Sequence, residues 1–459
     1  MRRLFNPQKL LEFNPGDKKV RAELEMMDKI LKARKGILEI VAKDVQGEAD
    51  ADTGRPGMSA DQVLRMAIVK QRYQLSYDEL HDRVADSVNL RRFCGYEWEE
   101  VQQSSALQDN IKRLTAKTLE AVNDALVVYA QEQGLEDGKK VRIDTLAVET
   151  NIHYPTDARL IEDSVRVITR MLGRARKALP QAGIAFHDHT RVAEKRVLAI
   201  ANTRKEDERK QLYGDLLEYA REVVKDAREG AKKLRQAKGT EEEQQIGRLM
   251  ADDLETVAVK LEKIIGQTNR RVMKGESVPA AEKIVSIFEE HTDIIEKGGR
   301  DTVFGHKVCV AAGKRLILDA MMPRGNPADS TLYPEALERV IAKNGGKVPE
   351  AVATDGGFAS QANEDLARSL GVQKVYFAKS IRRGVSSFLS DWQRKSLHAF
   401  RAGIEGILST MMRVRGLTRC LWHGWESFQS YLWASIVSEN LSRITRTLLA
   451  REATAAAGG

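Results

Sequence analysis

Cysteine is scarce in this chain. Its three cysteines, Cys94, Cys309 and Cys420, lie far apart and form no CxxC pair. Neither a disulfide framework nor a zinc knuckle is indicated, and each reads as a small buried hydrophobe. Long apolar runs are also missing: no stretch approaches the roughly 18 residues needed to span a bilayer. The opening MRRLFNPQKL lacks the apolar segment of a secretory signal. These absences predict a cytoplasmic protein with no membrane partner. His187 and His189 lie two apart with no cysteine and no helical ligand spacing beside them, so they do not read as a metal site. The charge balance is only moderately one-sided: 74 basic against 66 acidic residues give +8, which favours a polyanionic partner without requiring one.

What is present is a chain of 459 residues, 42% hydrophobic and 31% charged, enough for two to four folded domains with some very polar helices. To about residue 135 the pattern is helical. Ser59 with Gln62, Ser76 with Glu79 and Ser105 with Gln108 all have capping-box spacing, and apolar faces follow them. KKVRIDTLAVET, 139–150, then reads as a largely buried strand with Asp144 in its middle. From 158 to 297 the sequence turns helical and highly charged. Leu212, Leu216, Val223 and Leu234, then Leu254, Val257, Leu261 and Ile264, predict an antiparallel helical hairpin around AKGTEEE. Strand signals return on both sides of the AAGK turn in 303–322, before Asp355 and at 371–379, with a helix at TLYPEALERVIAKNGG and another beginning near Asp391. Strands alternating with helices predict an α/β domain whose single sheet is built from both sides of the helical insert.

Three acidic residues call for explanation. Asp144 is a charge in a buried strand, which needs a partner such as Arg142 or a metal. Asp355 precedes Gly356 and Gly357, where it is either a turn and cap residue or an acid at a strand's C-terminal end. Glu405, in FRAGIEGILSTMMRVRG, is either the ion-pair partner of Arg401 one turn earlier or a third carboxylate. Three oxygen donors suit a pair of hard Mg²⁺ ions that stabilise both oxygens of an in-line phosphoryl displacement. Around Glu405 the segment is strongly basic, with Lys374, Lys379, Arg382, Arg383, Arg394, Lys395, Arg401, Arg413, Arg415 and Arg419 forming a candidate phosphate track. Trp392, Trp422 and Trp425 are expected to pack in the core rather than stack on a base.

Read together, RIDT around Asp144, ATDGGF around Asp355 and FRAGIEG with Arg401 and Glu405 resemble the catalytic segments of insertion-sequence transposases of the RNase H-like DDE superfamily. GRPGMSADQVLRMAIVKQRYQLSYDEL is similar to the helical N-terminal domain many of them carry, and FGHKVCVA to the strand that follows the first aspartate strand. The resemblance implies an RNase H-like mixed sheet flanked by helices, split by a long helical insertion and preceded by an all-α domain. Its divisions are a DNA-binding domain at 1–135, a catalytic domain at 136–157 and 298–445, an insertion at 158–297 and a tail at 446–459. It implies that Asp144, Asp355 and Glu405 bind two Mg²⁺ ions, with Mn²⁺ as a substitute, and that Arg401 orients the helix or a phosphate. Lys379, Arg382, Arg383, Arg413 and Arg415 are the accompanying DNA contacts.

Further implied are binding of terminal inverted repeats, cleavage at the element's 3′ ends, transfer of the freed 3′-OH to target DNA, and a homodimer or larger assembly at the nucleoid. Two positions depart from the family signature: His398 stands where tyrosine is usual and Met412 where lysine is usual, which passes the lysine's phosphate contact to Arg413 or Arg415. His306 and Lys307 also match family positions, with no role assigned. The competing readings are a nuclease or resolvase of the same fold without strand transfer, and a non-catalytic DNA-binding or scaffold protein.

Overall fold

The computed structural model describes residues 18–34, 36–47, 57–97, 99–296, 302–378 and 388–458. Lys379, Arg382, Arg383 and most of the GRPG turn lie outside these. The described residues begin with seven helices, α1 (Lys18–Lys32), α2 (Gly36–Gln46), α3 (Ala60–Tyr73), α4 (Tyr77–Asp86), α5 (Val88–Phe93), α6 (Ser104–Ile111) and α7 (Ala116–Glu132), followed by strand β1 (Lys140–Thr150). Next come α8 (Asp157–Ala178), α9 (Thr190–Asn202), α10 (Glu206–Gln236), α11 (Glu241–Thr268) and β2 (Asp293–Ile295). The remainder is β3 (Val303–Ala312), β4 (Ile317–Met321), α12 (Asp329–Lys343), β5 (Ala351–Thr354), α13 (Gln361–Ser369), β6 (Lys374–Phe377), α14 (Asp391–Val414), β7 (Arg419–Cys420) and α15 (Trp425–Gly458). No helix among the described residues is long and apolar enough to cross a membrane.

Packing divides the chain into one unit of 1–149 with 306–459 and another of 150–305. In the first, strands run in the order β3-β1-β5-β6, with β4 on β3 and β7 on β1. β1, β5 and β6 are parallel neighbours, and β4 is antiparallel to β3. One face of the sheet, carrying Val141, Ile143, Cys309 and Ala311, packs on Leu332, Tyr333 and Leu337 of α12. On the other face, Ala351 and Ala353 meet Leu397 of α14, while Leu146 and Val148 share a core with Ile404 and Leu408 of α14 and with α15. The result is a mixed sheet between two helical layers.

The N-terminal helices belong to that same core: α1, α3 and α7 pack on α15. A boundary at residue 135 is therefore not a boundary of packing, because the apolar faces of these helices are covered by the C-terminal helix. Nor is 446–459 a separate tail, since α15 continues as one helix to Gly458. Ser59 and Ser76 form the predicted capping boxes. Ser105 does not; α6 begins two residues earlier than that cap requires, with Gln103 at its cap, which places Ser105 inside the first turn.

A buried polar framework fixes the junctions. Glu136 accepts hydrogen bonds from the backbone N–H groups of Lys314, Arg315 and Leu316, so a single carboxylate closes the β3–β4 turn. Asn440 of α15 donates to the carbonyl of Ile317 and accepts from its N–H, pinning β4 to the helix. All three cysteines are free and buried.

In the second unit, α10 and α11 form the predicted hairpin. Thr240 and Glu243 make a reciprocal capping box at its turn. Leu216, Val223, Leu234, Leu254, Leu261 and Ile264 are buried, with Leu212 and Val257 packed at the edge. Helix α8 completes this core through Ile161, Val165, Ile168 and Leu172. A Cβ on Gly247 would lie 2.8 Å from the carbonyl oxygen of Leu234, so glycine is what lets α11 approach α10 so closely there. The rings of His187 and His189 are 4.7 Å apart, and His189 Nε2 lies 2.9 Å from Glu222 Oε2.

Candidate active site

Strand register brings the first two acids together. Val141, Arg142 and Ile143 of β1 pair with Val352, Ala353 and Thr354 of β5, and the next residues along the two parallel strands are Asp144 and Asp355. By alternation Asp144 shares the face of Arg142, whose guanidinium donates to the carbonyl oxygens of Phe400 at 2.7 Å and Lys314 at 3.3 Å. Arg142 also lies over the Phe400 ring, and a Cβ on Gly403 would sit 2.2 Å from its Nη1. Asp144 thus follows Arg142 by two residues on the strand face that packs on α14, whereas Glu405, two residues beyond Gly403, is turned away from that contact on the helix, so the structure does not bring it to the two aspartates.

Asp355 acts as a cap in this structure. Its Oδ1 accepts a hydrogen bond from the N–H of Gly357 at 2.6 Å, opening the short helical turn 356–358. Glu405 is paired as the helix spacing predicts: Arg401 Nη2 lies 3.2 Å from its Oε1, with the Glu405 side chain 66% exposed and that of Arg401 15%. The carboxylate end of the pair is open to solvent, where water can take the place of Arg401, while the guanidinium end is largely covered. Among the described residues no group of three or more His, Cys, Asp or Glu side chains is arranged to hold a metal ion. The donors nevertheless suit Mg²⁺ or Mn²⁺ chemically: two hard carboxylates on neighbouring strands, and a third on α14 in an exposed pair.

A fourth acid, which the sequence reading passed over, sits beside them. Asp329, the first residue of α12, receives Lys307 Nζ at 3.0 Å and the hydroxyl of Thr145 at 3.3 Å through Oδ1. Lys307 also donates to the carbonyl of Pro327 at 2.6 Å. A Cβ on Gly357 would lie 2.7 Å from Asp329 Oδ2 and 2.9 Å from Asp355 Oδ1, so the two carboxylates approach one another across that glycine. Burial pushes the Cys309 thiol well above its ordinary range, with Asp329, Asp319 and Asp144 adding to the effect. The signal that could have found Asp329 is its place at the start of a helix, two residues beyond Pro327, on the connection after β4.

The basic track is thinner than its sequence suggested. Arg415 is buried beside Glu439 with side chains 2% and 1% exposed and Nε–Oε2 2.9 Å; it also donates to Ser442 Oγ and to the carbonyl of Arg72. As a structural residue tying α3, the end of α14 and α15 together, it is removed from the DNA contacts. Arg413 is exposed. Arg419 pairs with Glu149. His398 shares a hydrogen bond with the Tyr376 hydroxyl at 3.0 Å. Of the tryptophans, Trp425 packs on His306 and beneath Arg324, and Trp422 packs on Tyr431. Trp392 is 77% exposed, contrary to the core packing expected of it; Leu389 before it and Leu397 after it are the residues that pack with Ala351 and Ala353 of the sheet.

Residues 10–113 match the family model described as Transposase domain (DUF772). No curated protein and no solved structure matches the chain. The match, which runs through helices α1 to α6, supports a transposase, a DNA-processing enzyme.

Proposed function

We propose that this chain is the DNA transposase of an insertion sequence, with an RNase H-like catalytic sheet on which Asp144, Asp355 and Glu405 hold two divalent metal ions. The observation that carries the reading is the parallel β1–β5 register, which makes Asp144 and Asp355 neighbours at the edge where ligands of α/β sheets bind. The transposase-domain match at residues 10–113 supports the DNA-processing class independently.

When bound, Mg²⁺ or Mn²⁺ supplies an activated water and charge stabilisation at the phosphodiester. The chain's own part is positioning. Asp144 and Asp355 offer fixed carboxylates from strands whose backbones hydrogen-bond to each other. Glu405 completes the set by leaving Arg401 and turning towards the two aspartates. Arg401, thus released, joins the exposed Lys395 and Arg413 as cations of α14 available to a DNA phosphate. The N-terminal helices are assigned to recognition of the terminal inverted repeats, and joining two ends calls for a dimer or larger assembly. The test is to incubate the purified chain with Mg²⁺ and labelled duplexes carrying the inverted repeats that flank its reading frame. Nicked 3′ ends and joined products are expected. Nicking without joining would favour the nuclease reading, and no reaction would overturn the assignment.

Lys307 and Asp329 act in this account as positioning residues. Asp329→Asn leaves a buried lysine that competes for the neighbouring aspartates, and Lys307→Met leaves an uncompensated carboxylate against them. Each single change is expected to reduce cleavage by about tenfold or more, and the double variant to recover most of the loss. Rates across the four proteins, with melting temperatures alongside, check this; a double variant as poor as Lys307→Met would mean that the lysine acts on DNA directly.

A further inference from the structure

The long insertion carries a charged surface that the catalytic reading does not use. Between Asp163 and Asp188 the sequence has no acidic residue, yet it holds Arg166, Arg170, Arg174, Arg176 and Lys177. On α8 the residues Arg166, Arg170, Arg174 and Lys177 fall at steps of four, four and three, which is one helix face. All four are exposed. The opposite face, with Ile161, Val165, Ile168 and Leu172, is buried in the helical core. Only at the N-terminal end is the row neutralised by its own helix, where Arg166 pairs with Asp163 and Arg159 with Glu162.

We infer that this row on α8 is a docking surface for the sugar-phosphate backbone of duplex DNA. The eleven steps of helical rise from Arg166 to Lys177 span roughly 16 Å, comparable to the rise of about five nucleotides along one strand of a duplex. Residues four apart present cations at regular intervals, and guanidinium groups are well suited to phosphate oxygens. The contrast with α10 is informative. Its exposed bases Arg221, Lys225 and Lys232 alternate with exposed Glu218, Glu222 and Glu229, the arrangement of an ordinary solvated helix. Naming DNA as the polyanion rests on the transposase reading; the row of cations does not.

The test uses the full chain and a duplex lacking the terminal repeats, with affinity measured across a salt series. The variant Arg170→Gln/Arg174→Gln/Lys177→Gln is compared with Arg221→Gln/Lys225→Gln/Lys232→Gln, which removes the same charge from α10. Melting curves confirm that both fold. The α8 variant is expected to flatten the log–log salt slope by about three and to weaken binding on the order of 10²-fold at 0.1 M salt, while the α10 variant keeps a slope near that of the parent. Equal losses in both variants, an unchanged slope in the first, no duplex binding by the parent at low salt, or tighter binding to duplex RNA of the same length would each overturn the inference. Cleavage of element ends is scored separately, so failure of the docking surface and failure of the catalytic reading give different results.

Discussion

Asp355→Asn is expected to lower Mg²⁺-dependent cleavage of element ends on the order of 10³-fold, about 4 kcal/mol of barrier, with almost no change in melting temperature. The choice of asparagine separates two roles that coincide at this position. Asp355 caps the turn at Gly357, and asparagine caps nearly as well as aspartate. What asparagine lacks is the negative charge that a divalent ion requires. A purely structural Asp355 therefore predicts full activity in the variant, whereas a metal-binding Asp355 predicts near-total loss in a folded protein. Asp144→Asn should behave alike, because β1 and β5 present the two acids side by side. Rates of nick formation, measured with melting curves on the same preparations, distinguish the cases.

Arg415→Gln is expected to do the reverse. Removing one member of a buried ion pair costs about 3–5 kcal/mol; the lower end applies here because Glu439 is also held by Arg443. The loss also removes the Arg415 donor from the Arg72 carbonyl, while Ser442 Oγ keeps Arg72 Nη1 at 2.7 Å. Denaturant unfolding should show the destabilisation, while the salt slope of DNA binding at temperatures where the variant is folded should equal that of the parent. A slope reduced by about one with unchanged stability would return Arg415 to the phosphate track. The double variant Arg415→Met/Glu439→Met should recover much of the stability, since apolar residues of similar volume replace buried pairs well.

The comparison of these two residues shows what the sequence can and cannot convey. Strand β1, the β3–β4 pair, α12 and the α10–α11 hairpin were readable because each has a clean apolar period and a turn or cap at its end. The turn at Asp355 was readable because an acid between a short apolar strand and two glycines is ordinary turn and cap chemistry. Arg415 and Arg413 were not distinguishable: both are cations at the end of one helix, and only the tertiary packing of α3 and α15 decides that one is buried and the other exposed. Glu136, Asn440 and the Lys307–Asp329 pair were invisible for the same reason, since their partners are distant in sequence. The continuity of packing across residue 135 was not readable either, because a helix's apolar face does not state what will cover it. Arg401 and Glu405 are the intermediate case, in which helix spacing predicts the pair and leaves open what displaces it.

The central claim is that Asp144, Asp355 and Glu405 together hold divalent ions. Counting bound Mn²⁺ by electron paramagnetic resonance, with an element-end duplex present, tests it most directly. About two ions per active site are expected for the parent, and fewer for Asp355→Asn and Glu405→Gln. The same number and affinity of ions in parent and both variants would contradict it.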